Sequence, residues 1–311
     1  MELLENIRSL PLSMGKEDIP VVPSGLFSID YVSGGGYPCG GITEIYGEAG
    51  SGKTAIALRS IAEMQSKGKG CVFVDMEHSF PFGLAEASNV GMERLFVLSP
   101  SSGEEAFEMM DRLVRTEAVS LIVLDSISAI LPKGDAGKRI SEQSLSISSV
   151  ISRCLPDFLP VLRSSGAVAL FISQTRARKW GPPTRTAGGA AMRGMASLRI
   201  ETSCGELLRS GGSVAGQEMF CLATKCLSAE PRRTASFDVL GGVGADSVRF
   251  FADVAERTGK LSFTENATVS FGGCEFQSYS DFRSFLHGVG RAAFDKISET
   301  IAKEGLLCGK S

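Results

Sequence analysis

Residues Gly47–Thr54 read GEAGSGKT. Glycine, four residues, then glycine, lysine and threonine is a spacing suited to holding phosphate. The glycines let backbone amides wrap an anion without β-carbon clashes, the lysine reaches the terminal phosphates, and the threonine hydroxyl ligates a divalent cation. Gly47, Glu48, Ala49, Gly50, Ser51, Gly52, Lys53, Thr54 and Ala55 are therefore candidate contacts for a nucleoside triphosphate. Two acidic stretches accompany them. LIVLDS places Asp125 at the end of an apolar run, where it can hold Mg2+ through its water shell together with Thr54. CVFVDMEH ends in Asp75 and Glu77, which point to one side if the extended chain continues. Glu77 is the candidate general base that orients an attacking water. His78 beside it reads as a structural residue or an interface contact.

Such groups must be delivered by a scaffold. Short β-branched runs at 42–46, 71–75, 95–98, 120–125 and 167–173 alternate with helical spacing at 53–66, 103–116 and 142–164, with Ser102 or Gly103 at the start of the second helix. This alternation predicts an α/β fold with a mainly parallel sheet covered on both faces, and ligands then bind at the carboxyl ends of the strands. After Ala196, ASLRIET, QEMFCLATKC and TASFDVL predict an antiparallel extension of that sheet. A small α+β terminal module follows from residue 246: a helix, a hairpin through KLSFTENATVSFGG, and helices near 279–287 and 290–304. The expected organisation is an arm over 1–23, a core over 24–245 and a terminal module over 246–311.

The 311 residues are 43% hydrophobic and 22% charged, an ordinary globular balance. No apolar run reaches the ~18 residues that span a bilayer. MELLENIRSL has no apolar signal core, so a cytoplasmic location is expected. Eight cysteines form no CxxC pair and accompany only two histidines, which argues against a zinc site or a disulfide framework. A net charge of -3 does not announce a nucleic-acid binder, yet Gln174 to Arg193 holds five basic residues and no acid. That segment, QTRARKWGPPTRTAGG onward, also contains the single tryptophan, Trp180. Arg176, Arg178, Lys179, Arg185 and Arg193 can neutralise phosphates and Trp180 can stack on bases, a contact worth ~1–3 kcal/mol. The glycines and prolines let the segment reorder.

GEAGSGKT, VDMEH, LIVLDSISAILPK, FISQTR and GGAAMRGMASLRI, in this order, resemble the bacterial-type RecA recombinases from residue 24 to the end. The resemblance implies a RecA-like P-loop NTPase core, an ATPase that uses ATP and Mg2+, and a helical homo-oligomeric filament on single-stranded DNA. That filament would pair with double-stranded DNA in recombination and repair, with recombination mediators as further partners. It also implies that Gln174 senses the γ phosphate. The segment after it, with Gly188 and Gly189, would be a second DNA loop, and GDAGKRISE, with Lys138 and Arg139, a first. Lys225 matches one of the family's paired lysines, which reach the γ phosphate of a neighbouring subunit. The sequence departs from the family at several positions. Leu227 stands where the second lysine belongs, Leu84 where an aromatic stacks on adenine (Phe82 is close by), Gly194 where an interface aromatic sits, and Ser173 where an asparagine precedes the glutamine.

Three readings follow: a working recombinase, a divergent paralogue that binds DNA or a recombinase partner and hydrolyses ATP weakly, and a P-loop enzyme unrelated to DNA. The acid-free basic segment speaks against the third.

Overall fold

The computed structural model describes residues 19–135, 147–177, 184–228, 232–257, 261–263, 268–271, 274–278 and 281–282. Residues 1–18 of the expected arm, residues 136–142 of the GDAGKRISE loop with Lys138 and Arg139, Arg178, Lys179 and Trp180, and nearly all of the two expected terminal helices lie outside the described residues.

A ten-stranded sheet organises the chain. In chain order, two short strands, β1 (Val21–Val22) and β2 (Tyr37–Pro38), pair antiparallel around helix α1 (Phe27–Ser33). Then come β3 (Ile42–Gly47), α2 (Lys53–Ser66), β4 (Gly70–Asp75), α3 (Phe82–Ala87), β5 (Leu95–Leu98), α4 (Gly103–Arg115) and β6 (Val119–Asp125). They are followed by α5 (Ile147–Ser165), β7 (Val168–Ala177), β8 (Thr184–Thr186), α6 (Gly189–Met195), β9 (Leu198–Ser210), β10 (Ser213–Cys226), β11 (Thr234–Leu240) and β12 (Gly244–Asp246). The strand order is β12-β11-β10-β9-β3-β7-β6-β4-β5, with β8 paired to β7. From β9 across to β5 every neighbouring pair is parallel, and from β9 to β12 every pair is antiparallel.

Alternation along the parallel strands explains the layers. Cys71 and Phe73, Leu121 and Val123, and Val168, Leu170 and Ile172 join one apolar cluster with α1 and α2. Their neighbours Val72, Val74, Ile122, Leu124, Ala169 and Phe171 join a second cluster with α4 and α5. Both faces are covered, so these strands carry apolar residues at consecutive positions, as buried parallel strands must. Phe171 packs against both Phe107 and Phe158, with ring centroids at 6.0 and 6.4 Å, and those two rings meet at 5.8 Å.

Helix α7 (Val248–Arg257) belongs to the first cluster. Phe251 meets Phe27 edge-on at 5.1 Å, and Phe250 meets Tyr31 at 5.3 Å. The hairpin expected after it forms between β13 (Leu261–Phe263) and β14 (Val269–Phe271), and a third strand, β15 (Cys274–Phe276), adds to it.

Candidate nucleotide site and its connection to the basic segment

β3 ends at Gly47, and the chain turns through GEAGSGKT directly into α2. A Cβ at Gly47 would lie 2.1 Å from the Thr202 carbonyl oxygen, so only glycine lets the loop start against β9. Gly52 has φ +81, and a Cβ there would meet the Phe237 ring at 2.9 Å. Ser51 Oγ and Thr202 Oγ1 share a 2.7 Å hydrogen bond that fixes the loop to β9.

Helices α4 and α2 begin differently. At α4 the Ser102 side chain accepts from the Glu105 amide at 3.3 Å. At α2 the N-cap is Gly52 and no side chain caps the amides, which leaves that end able to receive an anion.

Lys53 is buried, and its Nζ donates to the carbonyls of Gly47 (3.1 Å) and Glu48 (2.5 Å). Burial lowers its pKa, and the nearby carboxylates of Asp125 and Glu77 act the other way. Thr54 Oγ1 donates to Asp125 Oδ2 at 2.7 Å. Burial pushes Asp125 up to about 6, the Thr54 hydroxyl opposes that rise, and the charges of Glu77 and Asp75 add to it.

Glu77 Oε1 accepts from the Ser126 hydroxyl at 2.6 Å and from the Gln174 side-chain amide at 3.1 Å. The Gln174 backbone is fixed as well: its N–H donates to Ser128 Oγ at 2.8 Å. Residues just past β4 and β6 and one within β7 thus meet at one carboxylate. A cavity of about 270 Å3 adjoins them, lined by Thr54, Asp125, Glu77, Phe80, Pro81 and Leu84. Leu84 faces this cavity, whereas Phe82 is 66% exposed and leans on Phe80.

Asp75 does something different from its neighbour. The strand stops there, and its carboxylate accepts from the amides of Glu77 (3.1 Å) and Phe80 (2.9 Å), shaping the turn that carries Glu77. His78 sits in that turn at φ 52.

β7 runs on past Gln174 to Ala177, where its backbone pairs with β8, Arg176 opposite Arg185. Beyond β8, Gly188 and Gly189 open α6, which carries Arg193 and Gly194. A Cβ at Gly194 would meet nothing within 4 Å. Lys225, on β10, donates from Nζ to the carbonyls of Arg193 (3.0 Å) and Gly194 (2.8 Å), and Leu227 is 58% exposed. Ser126, Ser128 and Thr202 are contributors that spacing did not single out. The only trace in the sequence is the alternation of serines after Asp125 in LDSIS.

A phosphate loop that opens a helix, with carboxylates converging from adjacent parallel strands, defines a P-loop nucleotide-binding fold. The RecA N-terminal domain family model matches residues 6–246. "Protein RecA" of Picosynechococcus sp. is 34% identical over 249 residues, covering 78% of this chain and 72% of that protein. "Protein RecA" of Ureaplasma parvum is 35% identical over 250 residues, covering 79% and 75%. The chain belongs to the RecA family. In fold it is similar to the crystal structure of the RadB recombinase, with a TM-score of 0.55 at 22% identity over 72% of this chain and 97% of that one.

Proposed function

We propose that the chain is an ATP-dependent recombinase that binds single-stranded DNA through the segment after β7 and couples that binding to ATP hydrolysis, assembling as a helical filament that pairs with duplex DNA. The observation that carries this reading is the placement of Gln174. Its side chain holds Glu77, the proposed base, and its strand leads straight into the acid-free basic segment.

The residues suit a magnesium nucleotide. Thr54 and Asp125 already face each other at 2.7 Å, and α2 begins with an uncapped end beside Lys53. Bound magnesium neutralises phosphate charge there. Lys53 exchanges its two loop carbonyls for phosphate oxygens, and the amides from Glu48 to Ala55 hold the anion. Glu77, oriented by Ser126 and Gln174, accepts the proton of the attacking water. A change of charge beside Glu77 alters the pull on the Gln174 amide, and the Ser128 clamp limits the response to the β7 end. Lys138, Arg139, Arg176, Arg178, Lys179, Arg185 and Arg193 contact phosphates, Gly188 and Gly189 allow close approach, and Trp180 stacks on a base.

The test is ATP hydrolysis with and without single-stranded DNA, with Lys53→Ala as the blank. Stimulation by DNA supports the recombinase, and its absence in a chain that still binds DNA selects the divergent paralogue. Two observations favour that second reading: Leu227 offers no cation at an exposed position, and Gly194 presents no side chain in open space.

A further inference from the structure

α6 leads away from the basic segment, and of its seven residues only Met192 is buried. Ala191 and Met195 pack half-buried against the same cluster, and Ala196 just past the helix is buried with them, but the carbonyls at the carboxyl end lack helical partners and carry partial negative charge. Lys225 supplies donors to those of Arg193 and Gly194. The residue before it is tied inward. Thr224 Oγ1 accepts from the Tyr46 hydroxyl at 2.9 Å and donates to the Arg199 carbonyl at 3.3 Å. The Arg199 guanidinium lies 4.5 Å from the centre of the Tyr46 ring and pairs with the fully buried Glu44 at 2.6 Å. Glu44 and Tyr46 belong to β3, the strand that ends where the phosphate loop begins.

We propose that Lys225 is a positioning residue within its own subunit: it latches the end of α6 to β10 and, through Thr224, Tyr46, Arg199 and Glu44, to the phosphate-loop strand. Gln174 and Ser128 then hold the chain within β7, where the basic stretch begins, and Lys225 holds it at the end of α6, where that stretch stops at Arg193. What the segment binds rests on the function proposed above; the latch itself does not.

Amide hydrogen exchange on the full chain, without nucleotide or DNA, tests it. Lys225→Met should exchange roughly five- to tenfold faster over residues 190–196, with α2 and α5 unchanged, and Lys225→Arg should restore slow exchange. Tyr46→Phe removes one hydroxyl and keeps the ring under Arg199. It should accelerate the same peptide by about twofold, which keeps the test decisive if Lys225→Met proves poorly folded. Native-like exchange over 190–196 in both Lys225→Met and Tyr46→Phe would overturn the latch. Titration of the native chain with single-stranded DNA separates the two ideas. A native chain that binds no DNA while Lys225→Met loosens α6 removes the proposed function and leaves the latch. DNA binding by the native chain with α6 exchange unchanged in the variants removes the latch alone.

Discussion

The carboxyl halves of β3, β4, β6 and β7 and the outer half of the β9–β10 hairpin are all extended chain, but they are restrained differently. β3 is buried at all six positions, and the middle of β6 is enclosed by helices on both faces. Past Ile200 and Thr202 the hairpin comes into the open: Leu207 and Val214 are 53% and 55% exposed, and its register slips near Val214 and near Gln217, with one further slip in the inner half between Ala223 and Lys225. Strands fixed from two faces deliver Asp125, Glu77 and Gln174 to defined places, whereas a hairpin fixed by one edge tolerates irregular pairing. The proposed chemistry sits where the backbone is over-determined.

Four measurements would break or sharpen that contrast. The largest effect is expected at Glu77. Glu77→Gln should lower the rate of ATP hydrolysis by ~10²–10⁴-fold while nucleotide binding, read by fluorescence titration, stays near native. Hydrolysis at the native rate would remove Glu77 from the base role. Next comes the support beneath the site. Phe171→Ala opens a void beside the Phe107 and Phe158 rings and should cost about 3–5 kcal/mol in urea unfolding.

Asp125 gives a smaller, pH-dependent effect. Its folded pKa, about 6, lies above its ordinary 3.8. Between those values the folded chain keeps a proton that the unfolded chain releases, so the carboxyl increasingly opposes folding as pH rises from about 4 to about 6, and fully opposes it above. With divalent cations chelated, Asp125→Asn should therefore gain on the order of 1 kcal/mol over the native chain at pH 7, an advantage that shrinks as the pH is lowered through 6. A constant difference across that window would show that the carboxyl is not held in its neutral form. The smallest effect belongs to the hairpin: Leu207→Ser should change unfolding free energy by no more than about 0.5 kcal/mol. A loss comparable to that of Phe171→Ala would mean that the outer hairpin is packed against something.

What the sequence made legible follows from range. The phosphate loop, the cap at Ser102 and the limits of α2 are set by neighbours within a few residues, and the parallel strands announce themselves by apolar runs. α1 was missed because it is one of the short helices and has no side-chain cap; β15 was missed behind two glycines. The placing of Asp75 and Glu77 on one side assumed that the strand went on, but Asp75 ends it by taking two backbone amides. Ser126 with Glu77 and Ser51 with Thr202 are 49 and 151 residues apart, partnerships that only the folded sheet reveals.

β3 also has a consequence for synthesis. The strand that carries the phosphate loop pairs on one side with β7 and on the other with β9, both made long after it. At roughly 5–20 residues per second, translation needs about 8–30 s to pass from Gly47 to Leu198. During that interval a nascent chain bears the loop on a strand that lacks one or both neighbours, so nucleotide cannot template its folding until the ribosome has passed the codon for Leu198.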